Sequence, residues 1–98
     1  MARWVVIFDD AAGMLEVRKR HGAEHLAYLD ANKDKILIGG GLRPAPGEPF
    51  VGGLWVLEVA NRDEAVQLVE KDPYYRPEFR KYRVFTWGKA LEDRSVTL

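Results

Sequence analysis

"LWVLEVANRDEAVQLVEKDP", residues 54–73, passes through a strand, a helix and a stop. "LWVLEVA" (54–60) is short, apolar and rich in residues that suit a pleated surface, so it reads as a strand. "NRDEAVQLVEKD" (61–72) changes period, with Ala65, Leu68 and Val69 falling on one helical face. Asn61 or Asp63 can cap this helix, and Glu64 places an acid in its first turn, where the helix dipole favours one. Pro73 ends it, because a residue before proline is pushed out of the helical region.

The same reading extends outward in both directions. "RWVVIF" (3–8) is a strand and "DDAAG" the loop after it. From Met14 to about Asn32 apolar residues recur at helical spacing, with Leu15, Gly22, Leu26 and Leu29 on one stripe and Arg18 on its line. "KILIGGGL" (35–42) is a second strand, and "RPAPGEPFVGG" (43–53) a loop rich in proline and glycine. "YYRPEFRK" (74–81) is irregular, "YRVFTWG" (82–88) is the fourth strand, and residues 89–98 form a tail without a strong period. The order β-α-β-β-α-β predicts an α+β, ferredoxin-like fold: a four-stranded antiparallel sheet with two helices on one face. A chain of 98 residues makes one domain, here 1–98 with its core at about 3–88.

The strands are apolar on both sides. One set of alternate positions holds Trp4, Val6 and Phe8; Trp55, Leu57 and Val59; Phe85 and Trp87. The other holds Val5 and Ile7; Leu54 and Val56; Tyr82 and Val84. A half-exposed antiparallel sheet should alternate apolar with polar, and two helices cover only one face. The open face is therefore expected to meet a second copy, giving a homodimer with sheets packed face to face.

Composition narrows the function. Net charge is zero, which argues against a nucleic-acid partner, since phosphate binding needs a basic face. The third strand also lacks the RNA-recognition signature, although the element order is shared with that fold. There is no cysteine, so thiolate zinc sites and a cysteine nucleophile are excluded. No apolar run reaches the ~18 residues of a membrane span. "MARWVVIFDD" does not read as a signal peptide, so a cytoplasmic protein is expected.

Both histidines lie in "HGAEHLAYLD" (21–30), four residues apart. That spacing suits a helical metal pair, but a third ligand is needed, and Glu24 is expected to point away from the two rings. No metal is expected. On the helical wheel His25 sits at the edge of the apolar stripe and His21 further out. An edge histidine that only bonds to backbone remains an open reading of His25. Asp72, fixed at the end of the second helix by Pro73, is disfavoured by the helix dipole, and a nearby imidazolium would offset that. An aspartate before proline is also a common turn starter. The glycine-rich connection can serve as a plain hairpin. Alternatively Gly40 and Gly41 present amides to a polar substrate, with Arg43 and Arg18 placed to bind a carboxylate or phenolate.

"EHLAYL", "GGGL", the glycine before the third strand, "NRDEAVQLVEKDPY" and an aromatic last strand together resemble the YCII-related (YciI-like) family over roughly residues 3–88. The resemblance implies a ferredoxin-like fold that dimerises through its sheets into an α/β barrel. It also implies a pocket holding a first-helix histidine, matched by His25 in "HL", and the aspartate of "DP", matched by Asp72. An arginine in the first helix is matched by Arg18. The implied activity is on small organic molecules, with dehydrochlorination of hydroxylated chloroaromatics in one branch. A His25–Asp72 dyad would move a proton without a metal or organic cofactor, as a lyase, isomerase or dehydrochlorinase requires. The rival reading is a non-catalytic dimer that binds or senses a small metabolite with the same groups.

Overall fold

The structure, a computed structural model, describes residues 2–97. Its elements are β1 (Ala2–Asp10), α1 (Met14–Ala31), β2 (Ile36–Leu42), β3 (Gly52–Val59), α2 (Arg62–Lys71) and β4 (Arg80–Thr86). The strands form one antiparallel sheet in the order β2-β3-β1-β4, and both helices pack on one face of it. This is the ferredoxin-like α+β arrangement. β1, the first strand in the chain, is central and pairs with both β3 and β4.

Register fixes which side chains meet the helices. Val6 lies opposite Trp55 and Val84, Trp4 opposite Leu57, and Phe8 opposite Tyr82. Together with Ile36, Val59 and the α2 residues Ala65, Leu68 and Val69 they build the core. Phe8 and Trp55 meet edge to face, with centroids 5.1 Å apart. Asn61 caps α2: its side chain accepts from the Glu64 amide at 2.9 Å, while Glu64 reaches back to the Ala60 amide.

Four features differ from the sequence expectation. First, β4 has the opposite phase: Tyr82 and Val84 face the helices, while Phe85 and Trp87 lie on the open side with Val5, Ile7, Leu54 and Val56. Second, β3 begins at Gly52 and β4 at Arg80, two residues earlier than predicted. Gly52 pairs with Asp9 so closely that a Cβ there would strike the Phe8 carbonyl oxygen, and Arg80 pairs with Asp10. Third, α1 turns only part of its predicted leucine stripe inward, with Leu29 packed against the core beside Gly39. Met14 and Val17 are buried, whereas Leu26 is 66% exposed and Leu15 also faces water. The inward side carries Arg18, His25 and Tyr28, so hydrophobicity alone mislocates it. Fourth, β2 contains a bulge: Ile36 and Ile38 oppose the consecutive residues Leu57 and Val56. The extra residue reverses the phase beyond it. Gly39 and Gly41 turn to the helix side, and Gly40, opposite Leu54, turns to the open face.

Candidate active site

α1 and the end of α2 supply the centre of the site. Asp72 is not the last helical residue but the residue capping α2, with extended backbone (φ −66°, ψ 134°). Its carboxylate is almost fully buried, and Oδ1 accepts from the Tyr74 amide at 3.0 Å. The same oxygen lies 2.7 Å from Nδ1 of His25, across 47 residues of sequence. An ionised carboxylate only accepts, so Nδ1 is the donor in this contact, and in a neutral imidazole the lone pair is then on Nε2. The His25 side chain is 12% exposed, and Nε2 has no hydrogen-bond partner among the described residues.

Tyr74 covers this pair, and Tyr28 lies within the electrostatic reach of Asp72. The Tyr74 ring stacks on the imidazole, centroids 3.7 Å apart and planes within 7°. Tyr28 donates to the Leu68 carbonyl at 2.7 Å. Burial, aided by the negative charge of Asp72, pushes the Tyr28 hydroxyl up to about 12. Tyr74 is also raised, chiefly by burial, against the opposing charges of Arg18 and Arg80.

Beside the dyad lies a second charged group. Asp10, at the end of β1, receives Arg80 through Nε at 2.7 Å and Nη2 at 3.0 Å. Arg18 adds a third contact to Asp10 at 3.2 Å and donates to the Gly52 carbonyl at 2.8 Å. Two guanidinium groups thus share one carboxylate, leaving one positive charge in excess. Arg18 also lies over Phe50 (4.6 Å) and Tyr74 (5.4 Å), which ties this cluster to the ring that stacks on His25.

The predicted residues fall in three groups. His25, Asp72 and Arg18 converge. Gly41 is close, but the Phe50 ring fills the place a Cβ would take, so it packs rather than opens the site. Arg43 sits one ring further out, 5.0 Å from Phe50. Gly40 does not converge, because the bulge sends it to the other face, where an added Cβ would meet nothing within 4 Å. His21 and Glu24 are 3.3 Å apart at the surface, so Glu24 does not turn from both histidines as expected. No group of three metal-ligating side chains occurs among the described residues.

Sequence reasoning missed Asp10, Arg80, Tyr74 and Phe50. Asp10 had a signal: it continues the even-numbered positions Trp4, Val6 and Phe8 of β1, which face inward. Tyr74 had one too, two residues after Asp72 in "DPY". A cavity of about 470 Å³ lies elsewhere, lined by Arg3, Glu58, Trp87, Lys89, Ser95 and Val96, and touches neither His25 nor Asp72. No helix among the described residues is long and apolar enough to cross a membrane.

No curated protein sequence matches. Among solved structures, 5-chloro-2-hydroxyhydroquinone dehydrochlorinase from Burkholderia phenoliruptrix, in complex with 2,5-dihydroxybenzoquinone, is similar at 30% identity with a TM-score of 0.75. The match covers 88% of this chain and 93% of that one. The family model described as YCII-related domain matches residues 2–88, nearly the whole described chain. The chain therefore belongs to the YCII-related domain family.

Proposed function

We propose that this protein is an enzyme that moves a proton on a small organic molecule, with His25 as the acid–base group and Asp72 as its orienting partner. The observation that carries the reading is the 2.7 Å contact from Nδ1 to Asp72, with Nε2 left without a partner among the described residues. A buried carboxylate behind an imidazole fixes the tautomer and makes the outer nitrogen a better base. In an elimination, Nε2 takes a proton from the substrate, the released electron pair forms a double bond, and the leaving group departs with its own pair. The similar dehydrochlorinase supports this class, and a hydroxylated chloroaromatic is the first substrate to try. Arg18 is the proposed anchor for an anionic oxygen, with Arg43 at the rim and Gly41 as packing.

The protein is proposed to act as a homodimer through the open sheet face. That face carries Val5, Ile7, Leu54, Val56 and Phe85, with Trp87 55% exposed at its end. Phe85→Glu should convert the dimer to monomer in light scattering.

The test of activity is chloride release from 5-chloro-2-hydroxyhydroquinone. General acid–base groups contribute ~10²–10⁴-fold, so His25→Ala should lose about that much turnover. Full turnover in His25→Ala would reject the dyad. A compound that stabilises the protein, yet is recovered unchanged, would favour a binding module.

A further inference from the structure

We propose that Tyr74 is a positioning residue for His25: its fixed ring holds the imidazole plane so that Nδ1 stays on Asp72 and Nε2 faces outward. The inference rests on the dyad reading above and adds to it a residue that pins both members.

A single hydrogen bond fixes one atom of an imidazole. The ring can still tilt about that atom, or turn about its Cβ–Cγ bond and present carbon to the carboxylate. A second restraint must act on the plane. Tyr74 supplies it, with the two rings 3.7 Å apart and within 7° of parallel.

Tyr74 is itself held on several sides. It is buried, its backbone follows Pro73, and its amide donates to Asp72 Oδ1 at 3.0 Å, the oxygen that takes His25. The guanidinium carbons of Arg18 and Arg80 lie 5.4 and 5.6 Å from its ring centre. One residue therefore supports Asp72 through its main chain and His25 through its side chain.

The stacking geometry carries a second message. Two neutral rings prefer an offset or edge-on approach to a close parallel one. A cation is attracted to the face of a tyrosine ring. The observed stack thus gains strength when His25 holds a second proton, which is the state that proton abstraction creates. A tyrosine that merely filled space beside Met14 and Val17 would have no such requirement for a π face.

The test needs no substrate. The Nδ1–H proton of His25 is followed by NMR in the full chain labelled with ¹⁵N at histidine, and its solvent exchange rate is measured. Tyr74→Phe keeps the face and should exchange as the parent does. Tyr74→Leu, with its fold checked by circular dichroism, should exchange about tenfold faster or more, because the proton is released by local opening. Tyr74→Met, unbranched and without a π face, gives the same readout where Tyr74→Leu does not fold. Exchange within about twofold of the parent in the folded Leu or Met variant would overturn the inference. Loss of protection in Tyr74→Phe would overturn it too, by moving the role to the hydroxyl. Absence of a protected Nδ1–H in the parent would overturn the dyad itself. Asp72→Ala, which removes the acceptor, provides the matching control: an unchanged Nδ1–H in that folded variant rejects the dyad independently of Tyr74.

Discussion

Replacing Asp10 by alanine tests the charge cluster that holds Arg18 beside the dyad. The Asp10 and Arg80 side chains are 1% and 4% exposed, and their two hydrogen bonds are 2.7 and 3.0 Å long. Truncating one partner of a buried pair leaves the other charge without compensation, at a cost of ~3–5 kcal/mol. Here the cost is raised by like charge, because Arg18 and Arg80 lose the carboxylate between them. Arg18 is less buried and keeps its bond to the Gly52 carbonyl, so Arg80 dominates the loss. A domain of this length is stable by ~5–15 kcal/mol, so the substitution should remove a large part of that margin. Urea unfolding followed by tryptophan fluorescence is the assay. With a slope of ~1.5 kcal/mol per M, the midpoint should fall by about 2–3 M. The double variant Asp10→Ala/Arg80→Leu removes the stranded charge as well. It should be more stable than the sum of the two single losses implies, by ~1 kcal/mol or more. A single-variant loss below ~1 kcal/mol, or strict additivity, would refute the view that Asp10 holds a buried cation.

Three further outcomes are expected. On α1, Met14→Ala should cost ~2–5 kcal/mol, while Leu26→Ser should change stability by no more than ~0.5 kcal/mol; equal effects would mean the helix is rotated from the face described. Gly52→Ala should destabilise by ~1–3 kcal/mol or more, because the new Cβ meets the Phe8 carbonyl in the β1–β3 ladder rather than a side chain that can move; parent-like thermal stability would contradict that packing. Tyr28, raised to about 12 when folded, contributes stability that is complete below the ordinary tyrosine value of ~10 and is lost as pH rises through about 12. Stability of the Tyr28→Phe variant should fall less steeply over that alkaline range, and identical slopes would show that burial does not disfavour the phenolate.

Much of the fold could be read from local signals that agree with tertiary packing. α2 carries its cap in Asn61, its apolar face in Ala65, Leu68 and Val69, and its stop in Pro73, and each points to the same element. Helix α1 was harder, because the side that faces the sheet holds Arg18, His25 and Tyr28 and the side that faces water holds Leu15 and Leu26. A helix that carries a polar site inward inverts the usual hydrophobic cue. Gly40 was misplaced because a bulge is one residue of register, and strand alternation cannot reveal where that residue is inserted. Asp10 and Arg80 meet across 70 residues, and only the β1–β4 register brings them together.

The central place of β1 has a consequence for synthesis on the ribosome. This strand leaves the exit tunnel before the other three, and its two neighbours, β3 and β4, come at residues 52–59 and 80–86. Until the second of them emerges, the middle of the future sheet has an open edge able to pair with other nascent chains. Every strand pairing that completes the sheet around β1 is long-range, which also makes folding slow relative to a helical bundle of equal length. The dyad is bound by the same schedule, because Asp72 and Tyr74 follow His25 by half the chain. A product truncated before β4 would contain both members of the pair but lack the strand that closes one side of the sheet beneath them.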